Sequence, residues 1–228
     1  MLEKKGIVLY KYFGIAIGLL IPASIMFHFE LTKGWELLFI VCALLFLIVM
    51  QFRRRQSAGT IVGISTTIFG ILYVSWFLSY LVRIRQMPDG IALVAAVLLI
   101  TKACDIGACL VGTRWGRHKL IPQISPNKTV EGALAGLFSS VAVACACQLF
   151  LPRGMFTAGT IVLIGLSLGI VAQMGDLSES LMKRDCGIKD SASLIPGMGG
   201  ILDTMDSVLF TAPVFYFYIA LKLIALPF

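Results

Sequence analysis

Six of the chain's twelve acidic residues fall within one stretch, between positions 176 and 206. They are Asp176, Glu179, Asp185, Asp190, Asp203 and Asp206, and Lys183, Arg184 and Lys189 lie among them. Apolar runs flank this stretch on both sides. Carboxylates and cations gathered between apolar runs suggest metal and phosphate chemistry at a membrane surface. Asp203 and Asp206 share a face if their segment is helical. Two converging carboxylates repel each other unless a cation lies between them. Magnesium suits such a pair, because it takes few carboxylates and keeps positions for phosphate. The plainer alternative is two solvated acids at the positive end of a helix dipole. If the helix that ends the preceding run continues beyond Asp176, Ser180 and Lys183 lie on its face and Arg184 one position round. Glu179 and Lys183 can instead simply pair, which leaves Asp176 unexplained. The loop Pro196-Gly197-Met198-Gly199-Gly200 lets backbone amides approach phosphate oxygens closely.

A second polar segment reads Ser125-Pro126-Asn127-Lys128-Thr129-Val130-Glu131-Gly132. Ser125 can cap a helix beginning at Pro126, a favoured first position. Free amides at that helix start, together with Lys128, would make a phosphate site. The alternative is an ordinary capped helix with a solvated lysine. Lys102 and Asp105 lie inside an apolar run and share a helix face. Ionisable groups within a span are costly and usually functional. Asp105 is therefore expected to face the same site, the alternative being a mutual ion pair that ties helices together.

The elements that must position these groups are membrane spans. The chain has 228 residues, 58% hydrophobic and only 14% charged, and its mean hydropathy is +0.93. A soluble chain is nearer 45–50% apolar. Crossing a bilayer core takes about 20 apolar residues. Seven runs qualify: 8–29, 35–52, 59–82, 90–112, 131–151, 156–175 and 205–226. The expected fold is an all-α polytopic integral membrane protein with about seven transmembrane helices and a cytoplasm-facing polar site. Residues 1–58 would form N-terminal transmembrane helices and 59–228 the catalytic region. Thirteen Lys and Arg residues fall on one side of this arrangement and five on the other, with Lys102 inside a span. The positive-inside rule then places the N-terminus and both long polar loops in the cytoplasm, in a multi-pass protein of the inner membrane. The net charge of +7 reads as attraction to anionic lipid headgroups. No basic patch is interleaved with exposed aromatics, which argues against nucleic acid. Six cysteines without a Cys-x-x-Cys pair, and two histidines, argue against zinc.

The order Ser180-x-Met182-Lys183-Arg184, four residues, Lys189-Asp190, then Pro196-Gly197-x-Gly199-Gly200-x-x-Asp203-x-x-Asp206 resembles the signature of the phosphatidate cytidylyltransferase (CDP-diacylglycerol synthase) family. Ser125–Gly132 resembles that family's Ser-Pro-x-Lys-Ser/Thr-x-Glu-Gly motif. The resemblance covers roughly residues 59–226 and is specific in 101–132 and 172–210. Members are commonly longer at the N-terminus, so one or two early spans are expected to be missing here or to lie upstream. The resemblance implies transfer of CMP from CTP to phosphatidic acid, releasing pyrophosphate, amid membrane lipids. It assigns catalysis to Asp176, Lys183 and Asp203. Substrate contacts fall to Ser125, Asn127, Lys128, Ser180, Arg184, Lys189, Gly199 and Gly200. Asp176 and Asp203 would hold Mg2+, with Asp206 and Asp105 in direct or outer contact. A monovalent cation such as K+ beside the magnesium is implied by the resemblance alone, and a homodimer is compatible with it. Met198 and Thr204 depart from the family's usual His and Arg. Arg114 and Arg117 are the expected sources of the missing charge. Three other readings stay open: a CTP-dependent transferase acting on an isoprenoid-type lipid, a membrane ion transporter, and an inactive binding protein.

Overall fold

The computed structural model describes residues 10–27, 35–53, 59–152, 154–188 and 200–225. The chain divides into two compact units, Met1–Arg83 and Ile84–Phe228. The first holds α1 (Lys11–Met26) and α2 (Trp35–Phe52). It also holds most of α3, which runs Thr60–Gln86 with a π-helical turn at Ile71–Trp76. Its core is Ile21, Ala43 and Ile71, with Phe13, Ile17, Phe39 and Trp76 packed against them. Two hydroxyls inside it are satisfied within their own helices. Ser24 donates to the Ile21 carbonyl and Thr67 to that of Gly63, as hydroxyls within apolar helices must where water is absent.

The second unit is built from α4 (Gly90–Trp115), a two-stranded antiparallel hairpin of β1 (Lys119–Ile121) and β2 (Ser125–Thr129), α5 (Val130–Cys147), α6 (Ala158–Asp185) and α7 (Ile201–Ala225). Among the described residues, five helices are long and apolar enough to cross a membrane: Thr60–Gln86, Gly90–Trp115, Val130–Cys147, Ala158–Asp185 and Ile201–Lys222. Large apolar side chains such as Leu110 and Phe138 face outward, the latter 77% exposed. An apolar exterior over apolar helices marks a polytopic membrane protein with lipid as its solvent.

Small residues let these helices approach, as packing in lipid requires. A methyl group on Gly165 of α6 would meet the Val141 backbone of α5 at 2.7 Å, and one on Gly175 would meet the Asp206 carbonyl of α7 at 2.8 Å. A polar seam joins α4 to α7, where Thr101 donates to Thr211 at 2.9 Å and Ser207 to Asp105 at 3.0 Å.

Helix limits depart from the apolar runs where charged residues continue a helix. α6 extends ten residues past the run's end at 175, through to Asp185, and α7 starts at Ile201, ahead of the run at 205. One expectation is overturned. Ser125 does not cap a helix starting at Pro126, because 125–129 is strand, paired Lys119↔Thr129 and Ile121↔Ser125. The helix begins at Val130, and the cap is Thr129, whose hydroxyl accepts from Gly132 N. The local start signal loses to a non-local pairing. The Val130 amide donates to the His118 carbonyl at 2.9 Å. The Glu131 carboxylate also accepts from the amides of Arg117 and His118. That clasp holds the segment extended, so the described elements are helices apart from one small ribbon.

Candidate active site

Two polar arrangements meet in the second unit. The first is a cavity of about 380 Å3 bounded by Asp105 from α4, Ser125, Asn127 and Lys128 from the hairpin, and Gln173 and Asp176 from α6. The hairpin reaches it because Thr129 packs into a notch of glycines. A Cβ on Gly116 would lie 2.5 Å from the Thr129 hydroxyl, and one on Gly112 at 3.1 Å. With Thr129 seated there, the neighbouring Lys128 ammonium stands 2.7 Å from Asp176 Oδ2.

The second arrangement is an ion-paired cluster between α6 and the first turn of α7. Lys183 Nζ donates to Glu179 Oε2 at 3.0 Å and to Asp203 Oδ1 at 2.9 Å. Asp203 Oδ2 accepts from the Gly200 amide at 2.6 Å, which fixes the end of the glycine loop. Glu179 is 2% exposed, and its Oε1 has no hydrogen-bond partner among the described residues. Asp206 lies between the two arrangements. It is buried, accepts from the Ser207 amide at 2.6 Å, and feels the charges of Asp176, Asp105 and Lys102.

The continuation of α6 beyond Asp176 sets Ser180 and Lys183 on successive turns, as the spacing predicts. Asp105, Ser125, Asn127, Lys128 and Asp176 are brought to one cavity. Lys183, Asp203 and Gly200 gather beside it. Ser180 is half-buried on α6 and does not line the cavity. Arg184 is exposed, and its Nε donates to the Ile124 carbonyl at 3.3 Å, tying the end of α6 to the hairpin turn. Lys189, Met198 and Gly199 lie outside the described residues.

Asp203 and Asp206 share a helix, but among the described residues Asp203 turns to Lys183 and Gly200, and Asp206 to Ser207. Among the described residues, no three His, Cys, Asp or Glu side chains gather as a ready-made metal site. Lysines stand against the acids instead. Lys102 donates to Asp105 Oδ2 at 2.9 Å, so the mutual ion pair is present, yet Asp105 also lines the cavity. The Lys102 ammonium reaches the Thr204 carbonyl as well, at 2.6 Å. Among the described residues, Lys102 is thus the cation shown beside position 204. Arg114 and Arg117, expected there, are exposed and line no part of the cavity.

Sequence reasoning passed over Gln173 and Ser207, and took Glu179 only as a partner for Lys183. Its spacing to Lys183 identified the Glu179 pair, but nothing local signals that this carboxylate is buried. Gln173 and Ser207 carry no charge and stand out in no pattern.

A family model described as the cytidylyltransferase family matches residues 1–222. The chain is 39% identical over 198 residues to a phosphatidate cytidylyltransferase of Synechocystis sp., covering 74% of this chain and 66% of that protein. It is 39% identical over 153 residues to the phosphatidate cytidylyltransferase of Bacillus subtilis, covering 66% and 56%. It is 38% identical over 154 residues to the uncharacterized protein YnbB of Escherichia coli, covering 67% and 50%. The chain thus spans between half and two thirds of the length of these relatives.

Proposed function

The chain belongs to the cytidylyltransferase family, and from that premise we propose that it transfers CMP from CTP to phosphatidic acid, giving CDP-diacylglycerol and pyrophosphate. The observation that carries this reading is the meeting of Lys128 and Asp176 at 2.7 Å across the cavity. A phosphate-binding lysine on a rigid hairpin there faces a carboxylate on a separate helix. In the reaction, a phosphate oxygen of phosphatidate attacks the α-phosphorus of CTP. A P–O bond forms, the bond to the bridging α–β oxygen breaks, and pyrophosphate leaves with that electron pair. Such transfers need positioning and charge neutralisation rather than a covalent nucleophile. Lys128, with Ser125 and Asn127 beside it, binds the triphosphate. Lys183 orients Asp203 and, through it, the Gly200 amide. Arg184 and Lys189 serve the second phosphate.

Charge supports a divalent cation. Among the described residues, Asp105, Asp176, Glu179, Asp203 and Asp206 gather with Lys102, Lys128 and Lys183. The acids outnumber the ammonium groups there, and Glu179 Oε1 is buried without a partner among the described residues. Asp176 and Asp203 would hold Mg2+, with Asp206 and Asp105 in direct or outer contact. When bound, it neutralises phosphate charge and polarises the α-phosphate. A K+ beside it rests on the family resemblance alone.

The apolar helices α1 and α2 would complete seven spans in the inner membrane. The distribution of Lys and Arg supports a site that opens to the cytoplasm. Membranes carrying the full chain, given radiolabelled CTP, magnesium and a panel of lipids, test the proposal. Label entering chloroform-soluble lipid with phosphatidate is the expected result. Labelling only with isoprenoid phosphates or alcohols would overturn the acceptor, and no labelling would overturn the transfer.

A further inference from the structure

We infer that Gln173 reads the nucleoside part of the nucleotide through its side-chain oxygen, an assignment that rests on the nucleotide-transfer reading above. Gln173 Nε2 donates to the Ala133 carbonyl at 2.9 Å and lies 3.6 Å from Cys104 Sγ. A carbonyl oxygen can only accept, so the amide nitrogen must face Ala133, and the orientation of the carboxamide is fixed by chemistry. Oε1 then has no partner among the described residues. It is not sealed in either, because the residue is half-buried and lines the cavity. A tethered acceptor left open on a cavity wall is matched by a donor on the ligand.

Position narrows which ligand. Gln173 precedes Asp176 by one turn of α6, about 4.5 Å along the axis. It therefore sits beside the lysine–carboxylate pair and on its membrane-core side. Ala108, Ala133 and Leu177 also line the cavity and offer apolar surface to a ring. Its 380 Å3 lies within the range of small-molecule sites. Of the two substrates, phosphatidate carries only acceptors apart from its phosphate. CTP carries neutral donors of two kinds, the ribose hydroxyls and the exocyclic amine of the base. Both are served by the same oxygen, and substrate analogues separate them.

The test uses the full chain, purified in detergent with phosphatidate, and compares CTP, 2′-deoxy-CTP, 3′-deoxy-CTP and UTP. Wild type is expected to favour CTP over at least one of the other three. Gln173→Met is expected to lower kcat/KM for CTP about tenfold, the worth of one hydrogen bond. It should leave the disfavoured analogue nearly unchanged, so that their ratio collapses. Collapse against a deoxy nucleotide assigns the ribose, and collapse against UTP assigns the base. If Gln173→Met does not fold, Gln173→Asn, which withdraws the oxygen on a shorter stem, carries the same expectation. An equal fall with all four nucleotides would leave Gln173 only its tie to Ala133 and overturn the inference. Wild type that uses all four equally would overturn it too. Wild type that labels no lipid from CTP would instead remove the transfer reading itself.

Discussion

Gly175→Ala is a sharp test of how helix packing holds the acids in place. The new methyl would lie 2.8 Å from the Asp206 carbonyl oxygen, 3.0 Å from the Phe210 ring and 3.2 Å from Ser207 Cα. Ordinary contact begins near 3.4 Å. The nearest atom is backbone and cannot rotate away, so α6 and α7 must part by roughly half an ångström. Overpacking of this kind costs about 1–3 kcal/mol. The helix gains about 0.5–1 kcal/mol from losing a glycine, which leaves, from the middle of both ranges, a net loss of about 1–2 kcal/mol. For a chain of this size that lowers Tm by roughly 2–8 °C. Function should suffer more than stability. The displaced residues are Gly175, next to Asp176, and Asp206, so the shift falls on two of the acids. A misplacement of 1 Å can cost about a hundredfold, so half of that should lower kcat about tenfold. The assay is a thermal melt of purified protein beside CMP transfer to phosphatidate. Gly159→Ala, in the exposed first turn of α6 with nothing within 4 Å of the new methyl, is the control and should melt no lower than wild type. Equal Tm and kcat for the two variants would refute the packing argument.

Lys128→Ala removes a charge-assisted contact worth about 1.5–3 kcal/mol, so KM for CTP should rise roughly 10- to 100-fold in initial-rate measurements; an unchanged KM would take the hairpin out of the nucleotide site. Asp203→Asn keeps an acceptor for the Gly200 amide but loses the charge facing Lys183, and a magnesium titration should show kcat down by about two to three orders of magnitude. Turnover like wild type would remove Asp203 from the site. Thr129→Ala loses the helix cap of α5, about 1 kcal/mol, and should lower Tm by roughly 2–4 °C, whereas an unchanged melt would deny the cap its role. A membrane-impermeant thiol reagent on intact cells should miss native Cys186 and a cysteine placed at Gln123, and should reach one placed at Gly154; labelling of Cys186 from outside would reverse the topology.

What the sequence made legible was whatever is local. Apolar runs locate the long helices, because about 20 residues of one kind are hard to produce otherwise. The i,i+3 and i,i+4 spacings of Lys102–Asp105 and Glu179–Lys183 foretell both ion pairs. The Ser125 segment was misread because Ser followed by Pro is a genuine helix-start signal. What overrules it, β1 and the Glu131 clasp, is a matter of pairing across a turn. The contact from Lys102 to Thr204 spans 102 positions, and no periodicity carries information over that distance. Asp203 and Asp206 were placed on one helix correctly. Their divergence follows from Lys183 arriving from α6, which their own spacing does not contain.

The lysine pairs bear on how such a charged centre enters a bilayer during synthesis. A lone Asp or Lys at the middle of a span costs about 2.5–3.5 kcal/mol on insertion scales. Lys102 with Asp105 in α4, and Glu179 with Lys183 in α6, are partners within a single helix. They can neutralise each other as soon as that helix winds, before any neighbour has arrived. The contacts Lys128–Asp176 and Lys183–Asp203 join separate elements and close only when those elements meet. α4 and α6 can therefore each be handed to the membrane with an opposite charge aboard, whereas Asp203 of α7 meets its lysine only when α7 reaches α6. These two spans, α4 and α6, carry their own temporary counterions through biogenesis.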